Sequence, residues 1–269
     1  MTPENRIDQR FAALKTEGKA AFVAYIAAGD PNMDRSLEIM FALEKAGVDV
    51  IELGVPFSDP MADGIVNQMA AHRALEAGAT TPKVLDLIRR FRETSETPVV
   101  LFTYLNPIYS YGFSKFHEDA AAAGADGILL LDLPPDEASL NAELTESGLL
   151  RHIRLIAPTT PADRLPKLAA ASEGFIYYVS REGVTGAQTS LAEGIKENVA
   201  EIKRHTDVPV VVGFGISTPE QSAEVARSSD GVVVGSAIVR QIEQHGADPD
   251  VAALVGAFVK PLVDAAKSV

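Results

Sequence analysis

Short apolar runs, mostly β-branched, recur along the whole chain, most of them followed by a longer stretch of helical period, and this alternation restricts the fold more than any other feature. The runs are Ala21 to Ala28, Val48 to Gly54, Pro98 to Tyr104, Gly127 to Leu133, Ile153 to Pro158, Phe175 to Ser180, Pro209 to Gly215 and Gly231 to Ala237. A strand that is apolar on both faces must be covered on both, which is the pattern of a parallel sheet with helical crossovers. Eight such βα units are the number that closes a (β/α)8 barrel of TIM type. With 269 residues, 46% of them hydrophobic, the chain is long enough for one large core. Nothing reads as a linker, a low-complexity tract or a second domain. Residues 1–269 are therefore expected to form one α/β barrel domain, with the βα unit as its only repeat.

Between the runs the period changes from strand to helix. Ile39, Met40, Leu43 and Ala46 make one apolar stripe, with Glu38 and Lys45 on the polar side, and Val84, Leu87, Ile88 and Phe91 make another. Gly47, Gly124 and Gly148 stand where helix C-terminal caps are expected before the next strand. An extra amphipathic segment precedes the first run, with Ile7, Phe11 and Leu14 on one face, and is expected to form a helix covering the N-terminal end of the barrel.

The net charge of −13 argues against nucleic acid or an anionic membrane as partner. An anionic substrate must then be held by local backbone dipoles, not by the global field. The chain has no cysteine, which excludes disulfides, zinc–thiolate sites and thiol nucleophiles. Its histidines, His72, His117, His152, His205 and His245, lie far apart and show no ligand spacing, so no metal site is expected. The first residues carry no apolar signal core and no run approaches a membrane span, so the chain reads as cytoplasmic.

In such a barrel the chemistry lies at the C-terminal ends of the strands. The second run there carries an acid, Glu52, within Val48-Asp49-Val50-Ile51-Glu52-Leu53-Gly54. Strand alternation puts Val50, Glu52 and Gly54 on one side; if that side faces the lumen, Glu52 points into the site. A carboxylate in a buried strand is either a reactive acid or one half of a buried ion pair. The loop that follows, Val55-Pro56-Phe57-Ser58-Asp59-Pro60-Met61-Ala62-Asp63-Gly64, holds two further acids, of which Asp63 is either a site residue or a turn-forming acid before Gly64.

The last two runs end in Val212-Gly213-Phe214-Gly215 and Val234-Gly235-Ser236-Ala237, where glycines let an anion approach the backbone and Ser236 opens a helix with free amide groups. The loops after strands seven and eight are the frequent phosphate site of this barrel. No third glycine completes a dinucleotide fingerprint; Thr218-Pro219 reads instead as a helix cap and first helical residue. After the sixth run, Ser180-Arg181-Glu182-Gly183-Val184-Thr185-Gly186-Ala187 suits a mobile lid or an ordinary surface loop. Tyr25, Tyr104 and Tyr177 either line a pocket or belong to the core.

Taken together, these segments resemble the α subunit family of tryptophan synthase. The run from Glu52 through Asp63-Gly64 looks like that family's strand-two and loop-two motif, and Ser180 to Ala187 looks like its strand-six loop. The likeness extends from the first helix to the last; the long motif is highly specific, whereas the glycine motifs alone fit many phosphate-binding barrels. The resemblance implies a lyase that cleaves indole-3-glycerol phosphate to indole and glyceraldehyde 3-phosphate by a retro-aldol reaction. It implies Glu52 as general acid/base, Asp63 on the indole NH, and Thr185 orienting Asp63. It further implies Gly186, Gly213, Phe214, Gly215, Gly235 and Ser236 around the phosphate, and Tyr25, Tyr104 and Tyr177 around the aromatic ring. It also implies a β subunit as partner in an α2β2 heterotetramer, with pyridoxal phosphate on that partner and no cofactor in this chain.

The residue types suit this chemistry on their own terms. A carboxyl group whose pKa is raised by burial is a suitable proton donor to indole C3, and an ionised carboxylate near the ring nitrogen offsets the charge that develops. The chain departs from the family after Asp63-Gly64, where proline is usual and Ile65-Val66-Asn67-Gln68 stands instead. Other readings are a free-standing lyase of the same fold, a sugar-phosphate isomerase, and a non-catalytic regulatory subunit that binds glycerol phosphates.

Overall fold

The computed structural model describes residues 5–133, 148–180, 188–213 and 215–269. Its strands, all parallel, are β1 (Ala21–Ala27), β2 (Val50–Gly54), β3 (Val99–Thr103), β4 (Gly127–Leu130), β5 (Arg151–His152), β6 (Arg154–Ile156), β7 (Ile176–Val179), β8 (Val210–Gly213) and β9 (Gly231–Val234). They pair in the order β5-β4-β3-β2-β1-β9-β8-β7-β6. The two ends of this order are consecutive in the chain. One residue, Ile153, separates them, and its amide donates to the Ile128 carbonyl at 3.0 Å. The fifth apolar run is thus one barrel position built as two short strands, the first facing β4 and the second β7. The apolar pattern starts this strand only at Ile153, two residues after its true beginning, because Arg151 and His152 are polar by type. The Arg151 guanidinium is in fact satisfied from outside the sheet, by Asp8 at 2.7 and 2.9 Å.

The alternation within each strand separates two cores. Phe22, Ala24, Ile26, Ile51 and Leu53 face outward into a large cluster with the surrounding helices. Ala21, Val23, Val50, Val100, Leu129, Ile153, Phe175, Val211 and Val233 face the lumen. The lumen is closed from below by α1 (Arg6–Glu17), whose Ile7, Phe11 and Leu14 join that inner cluster, Phe11 lying 5.6 Å from Phe175 between ring centres. Asn5 caps this helix by accepting from the Ile7 amide, and Gly18 ends it in the left-handed conformation. The expected extra helix at the barrel's N-terminal end is present.

The outer helices are α2 (Met33–Ala46), α3 (Ile65–Glu76), α4 (Thr81–Arg92), α5 (Leu105–Tyr111), α6 (Phe113–Ala123), α7 (Leu165–Ala170), α8 (Gln188–Lys203), α9 (Pro219–Ala226), α10 (Ser236–His245) and α11 (Val251–Lys267). The two stripes read from the sequence are buried, Ile39, Met40, Leu43 and Ala46 on α2 and Val84, Leu87, Ile88 and Phe91 on α4. Gly47 and Gly124 cap α2 and α6. Gly148 also takes a positive φ, but the segment it was expected to end lies outside the described residues. Thr218 and Gln221 form a reciprocal capping box at the start of α9, with Pro219 as its first residue, as the sequence indicated. No described helix is long and apolar enough to cross a membrane.

Candidate active site

The inward face of β1 continues upward from Val23 to Tyr25, and that of β2 from Val50 to Glu52; the two upper residues are partners across the β1–β2 ladder. Alternation therefore carries Glu52 into the lumen above the apolar layer, and the acid is completely buried there. Among the described residues neither carboxylate oxygen has a hydrogen-bond partner. Other buried acids behave differently. Asp49 accepts from the Phe22 amide, Arg10 and Lys267; Asp126 from the Val99 amide, Arg92 and Arg6; Asp30 takes a two-pronged bond from Arg73 at 2.8 and 2.9 Å. Among the described residues no cation pairs with Glu52. Burial without compensation disfavours its charged form and pushes its pKa up to about 8, so the carboxyl is protonated at neutral pH.

Glu52 opens onto a cavity of about 420 Å3 at the C-terminal end of the barrel, within the size range of small-molecule sites. Its walls include Tyr25, Phe102, Tyr177, Gly213, Gly215, Gly235 and Ser236. Tyr25 and Phe102 meet edge to face at 5.0 Å between ring centres. Tyr177 lies over the end of β8: a Cβ on Gly213 would come within 2.5 Å of the Tyr177 hydroxyl. Glycine at this position thus makes room for an aromatic ring, a reason that glycine spacing in the sequence did not offer. Beyond it, Gly235 stands at the N-cap of α10 without a side-chain cap, so the first amides of that helix, at Ser236, Ala237 and Ile238, have no partner within it.

Asp63 sits beside this cavity and not in it. Its carboxylate faces a small adjoining recess with Tyr104, and Tyr25 and Phe102 line both spaces. The Tyr104 hydroxyl donates to Asp63 Oδ2 at 2.8 Å and accepts from the Ala62 amide at 3.0 Å, which fixes the loop against the mouth of β3. Burial raises the Asp63 pKa, and hydrogen bonds from Tyr104 and Asn67 offset only part of that rise. Tyr104 itself is pushed well above the ordinary phenol range by burial and by Asp63, so it remains a donor. The loop's exit is held as well: α3 starts at Ile65, in the first helical position where a proline is most readily accepted, and the Gln68 side chain donates to the Asp63 carbonyl at 2.8 Å. The absent proline leaves both helix start and Asp63 backbone anchored.

The structure therefore brings together Glu52, Tyr25, Tyr177, Gly213, Gly215, Gly235 and Ser236 around one cavity, with Asp63 and Tyr104 next to it. Thr185, Gly186 and Phe214 lie outside the described residues. Phe102, Val66, Asn67 and Arg240 also line the cavity and were not singled out from the sequence. For Phe102 the signal was available, since it alternates with Val100 and Tyr104. Among the described residues no group of His, Asp or Glu could hold a metal ion.

A family model described as tryptophan synthase alpha chain matches residues 11–265. The chain is 51% identical to the tryptophan synthase alpha chain of Opitutus terrae, over 91% of this chain and 92% of that one. It is 49% identical to that of Citrifermentans bemidjiense, over 90% of each. The crystal structure of tryptophan synthase subunit alpha from Legionella pneumophila superposes with a TM-score of 0.91 at 40% identity, covering 99% of this chain and all of that one.

Proposed function

The chain belongs to the tryptophan synthase alpha chain family, and from that premise we propose that Glu52 is the general acid and base of its reaction and Asp63 the electrostatic partner. The reaction is cleavage of indole-3-glycerol phosphate to indole and glyceraldehyde 3-phosphate, which makes the chain a carbon–carbon lyase of tryptophan biosynthesis. The observation that carries the assignment is the buried, unpartnered Glu52 carboxyl on the cavity wall, protonated at neutral pH. It is charged with the proton that indole C3 must receive before the carbon–carbon bond can break.

In our reading, transfer of that proton to C3 leaves the indole ring as a positive indolenine and Glu52 as a carboxylate. The carboxylate takes the proton of the glyceryl hydroxyl next to the scissile bond. As the bond breaks its electron pair returns to the ring, restoring aromaticity, and the hydroxyl carbon becomes the aldehyde; Glu52 ends protonated, as it began. Asp63, ionised and held by Tyr104, offsets the positive charge by accepting from the ring NH. Tyr25, Tyr104 and Tyr177 enclose the ring, and Thr185 orients Asp63. Gly186, Gly213, Phe214, Gly215, Gly235 and Ser236 hold the phosphate with backbone amides, as a helix N-terminus does.

Replacing Gly235 with valine is expected to raise the concentration of glycerol phosphate needed to displace substrate by roughly tenfold, a change of about 1.4 kcal/mol. Its Cβ would stand 3.3 Å from that of Tyr25, a crowded but not prohibitive contact. Competition by glycerol phosphate in a steady-state indole assay measures this; no competition at any concentration would show the cradle misplaced. Gly213→Val is expected to do more damage, because its Cβ displaces Tyr177 as well as the phosphate.

The partner in this reading is the tryptophan synthase β subunit in an α2β2 heterotetramer, cytoplasmic, with pyridoxal phosphate on that subunit and none in this chain. The loop from Val55 to Gly64 exposes Met61 almost fully and Asp59 to solvent. Its closure costs ordering entropy. A partner surface against Asp59-Pro60 offsets this cost, and a coupling of about 1 to 3 kcal/mol corresponds to roughly 5- to 150-fold in rate or affinity. Titrating purified β subunit into the isolated chain should raise indole release within that range. A flat titration with full activity in the chain alone would identify a free-standing lyase instead.

A further inference from the structure

One charged side chain on the cavity wall, Arg240, takes no part in the chemistry above. Arg240 stands four residues after Ser236 on α10, so the two share one face of the helix, and both line the cavity of Glu52. The opposite face of α10 is committed to the core through Ala237, Ile238, Val239 and Ile242. Helical side chains lean toward the helix N-terminus, which directs the guanidinium back over the first turn, where the amides at Ser236 and Ala237 have no partner within the helix.

Arg240 makes no hydrogen bond or ion pair among the described residues. Arg73 on the adjacent α3 contrasts with it, being held by Asp30 and Glu243. Arg240 is also the sole cation among the described residues of the cavity wall. That wall carries Glu52, Asp63 lies just behind it, and the whole chain has a net charge of −13. A phosphate dianion entering here meets the nearby Asp63 and an acidic global field; backbone amides supply partial charges only.

Building on the phosphate cradle proposed above, we propose that Arg240 is a substrate-binding residue whose guanidinium completes the cradle from the solvent side and selects a dianionic phosphate end over a neutral glycerol end. A charge-assisted bond of this kind, at an exposed position, is expected to contribute roughly tenfold in affinity.

The test is calorimetric binding of glycerol phosphate, and separately of indole, to the full chain and to the variants Arg240→Gln, Arg240→Lys and Gly235→Val. Arg240→Gln should weaken glycerol phosphate roughly tenfold and flatten its dependence on salt while binding indole as before; Arg240→Lys should recover part of the loss. Indole binding also reports that the variant is folded. If Arg240→Gln binds glycerol phosphate as tightly and with the same salt dependence while Gly235→Val is impaired, the role of Arg240 is overturned and the cradle stands. If neither substitution alters glycerol phosphate binding, the cradle itself is wrong and the inference falls with it.

Discussion

Glu52→Gln is expected to lose roughly 10²- to 10⁴-fold in indole formation while gaining stability. The loss follows because an amide cannot deliver a proton to indole C3 or retrieve one from the glyceryl hydroxyl. The gain follows from the linkage between proton binding and folding. The folded chain keeps the Glu52 proton up to about pH 8, whereas the unfolded chain releases it near 4.5. Between those values the folded state binds more protons, so the acid lowers stability progressively as pH rises through this window, with no cost below it and a constant cost above. Each unit of difference corresponds to about 1.4 kcal/mol, so the full effect is on the order of 5 kcal/mol above pH 8. Thermal unfolding of wild type and variant should coincide near pH 4 and diverge toward pH 8.5, with the variant higher. The activity of the unsubstituted chain should in turn fall as pH rises through about 8, where the acid form is lost. Near-normal indole release by the variant would sink the assignment, and parallel melting curves at both pH values would show that Glu52 is not protonated in the folded chain.

Asp63→Asn is expected to lower indole formation by about 10²-fold or more, because it removes a full negative charge from beside the developing indolenine cation while preserving the shape of the side chain. Ser58→Ala, in the same loop, should change it less than about twofold. Ser58 is exposed and among the described residues its hydroxyl bonds only its neighbour Asp59, at 2.5 Å, a surface contact of small worth. Tyr104→Phe should fall between the two, since it releases Asp63 Oδ2 without removing the charge. Steady-state turnover of the three variants ranks them; equal losses in Asp63→Asn and Ser58→Ala would mean that the loop matters for its shape and not for its charge. Glu52→Gln and Asp63→Asn together separate proton transfer from charge stabilisation, because the first should abolish the alkaline limb of the pH profile and the second should not.

The barrel was legible in the sequence because its strands are buried on both faces. Every residue of β1 and of β2 is buried, which apart from Glu52 selects apolar side chains, so the spacing of the runs reports the βα repeat directly. The helical stripes and the Gly47, Gly124 and Thr218 caps were legible for the same kind of reason: each satisfies a local rule within a few residues. The fifth strand was read late because Arg151 is polar by type, and only its ion pair with Asp8, far away in sequence, makes it tolerable there. Asp63 and Thr185 likewise took their roles from motif resemblance, and loop geometry near Asp63 depends on Tyr104 and Gln68, which no short-range pattern links to it.

The sequence by itself determined the parallel barrel, the helix that plugs its lower end, and the presence of one acid in an apolar strand, because these follow from periodicity and composition within a single segment. Only the tertiary structure decided which groups surround that acid. Whether a buried carboxylate is charged depends on the groups that converge on it from other strands. Asp49 and Asp126 receive cations and amides from distant elements, whereas among the described residues Glu52 receives none. It is also the tertiary structure that sets Asp63 in a recess behind Tyr25 and Phe102 and places Arg240 beside Ser236 on the cavity wall. Those juxtapositions join residues far apart in the chain, and their energies depend on distance in space, which sequence spacing does not encode.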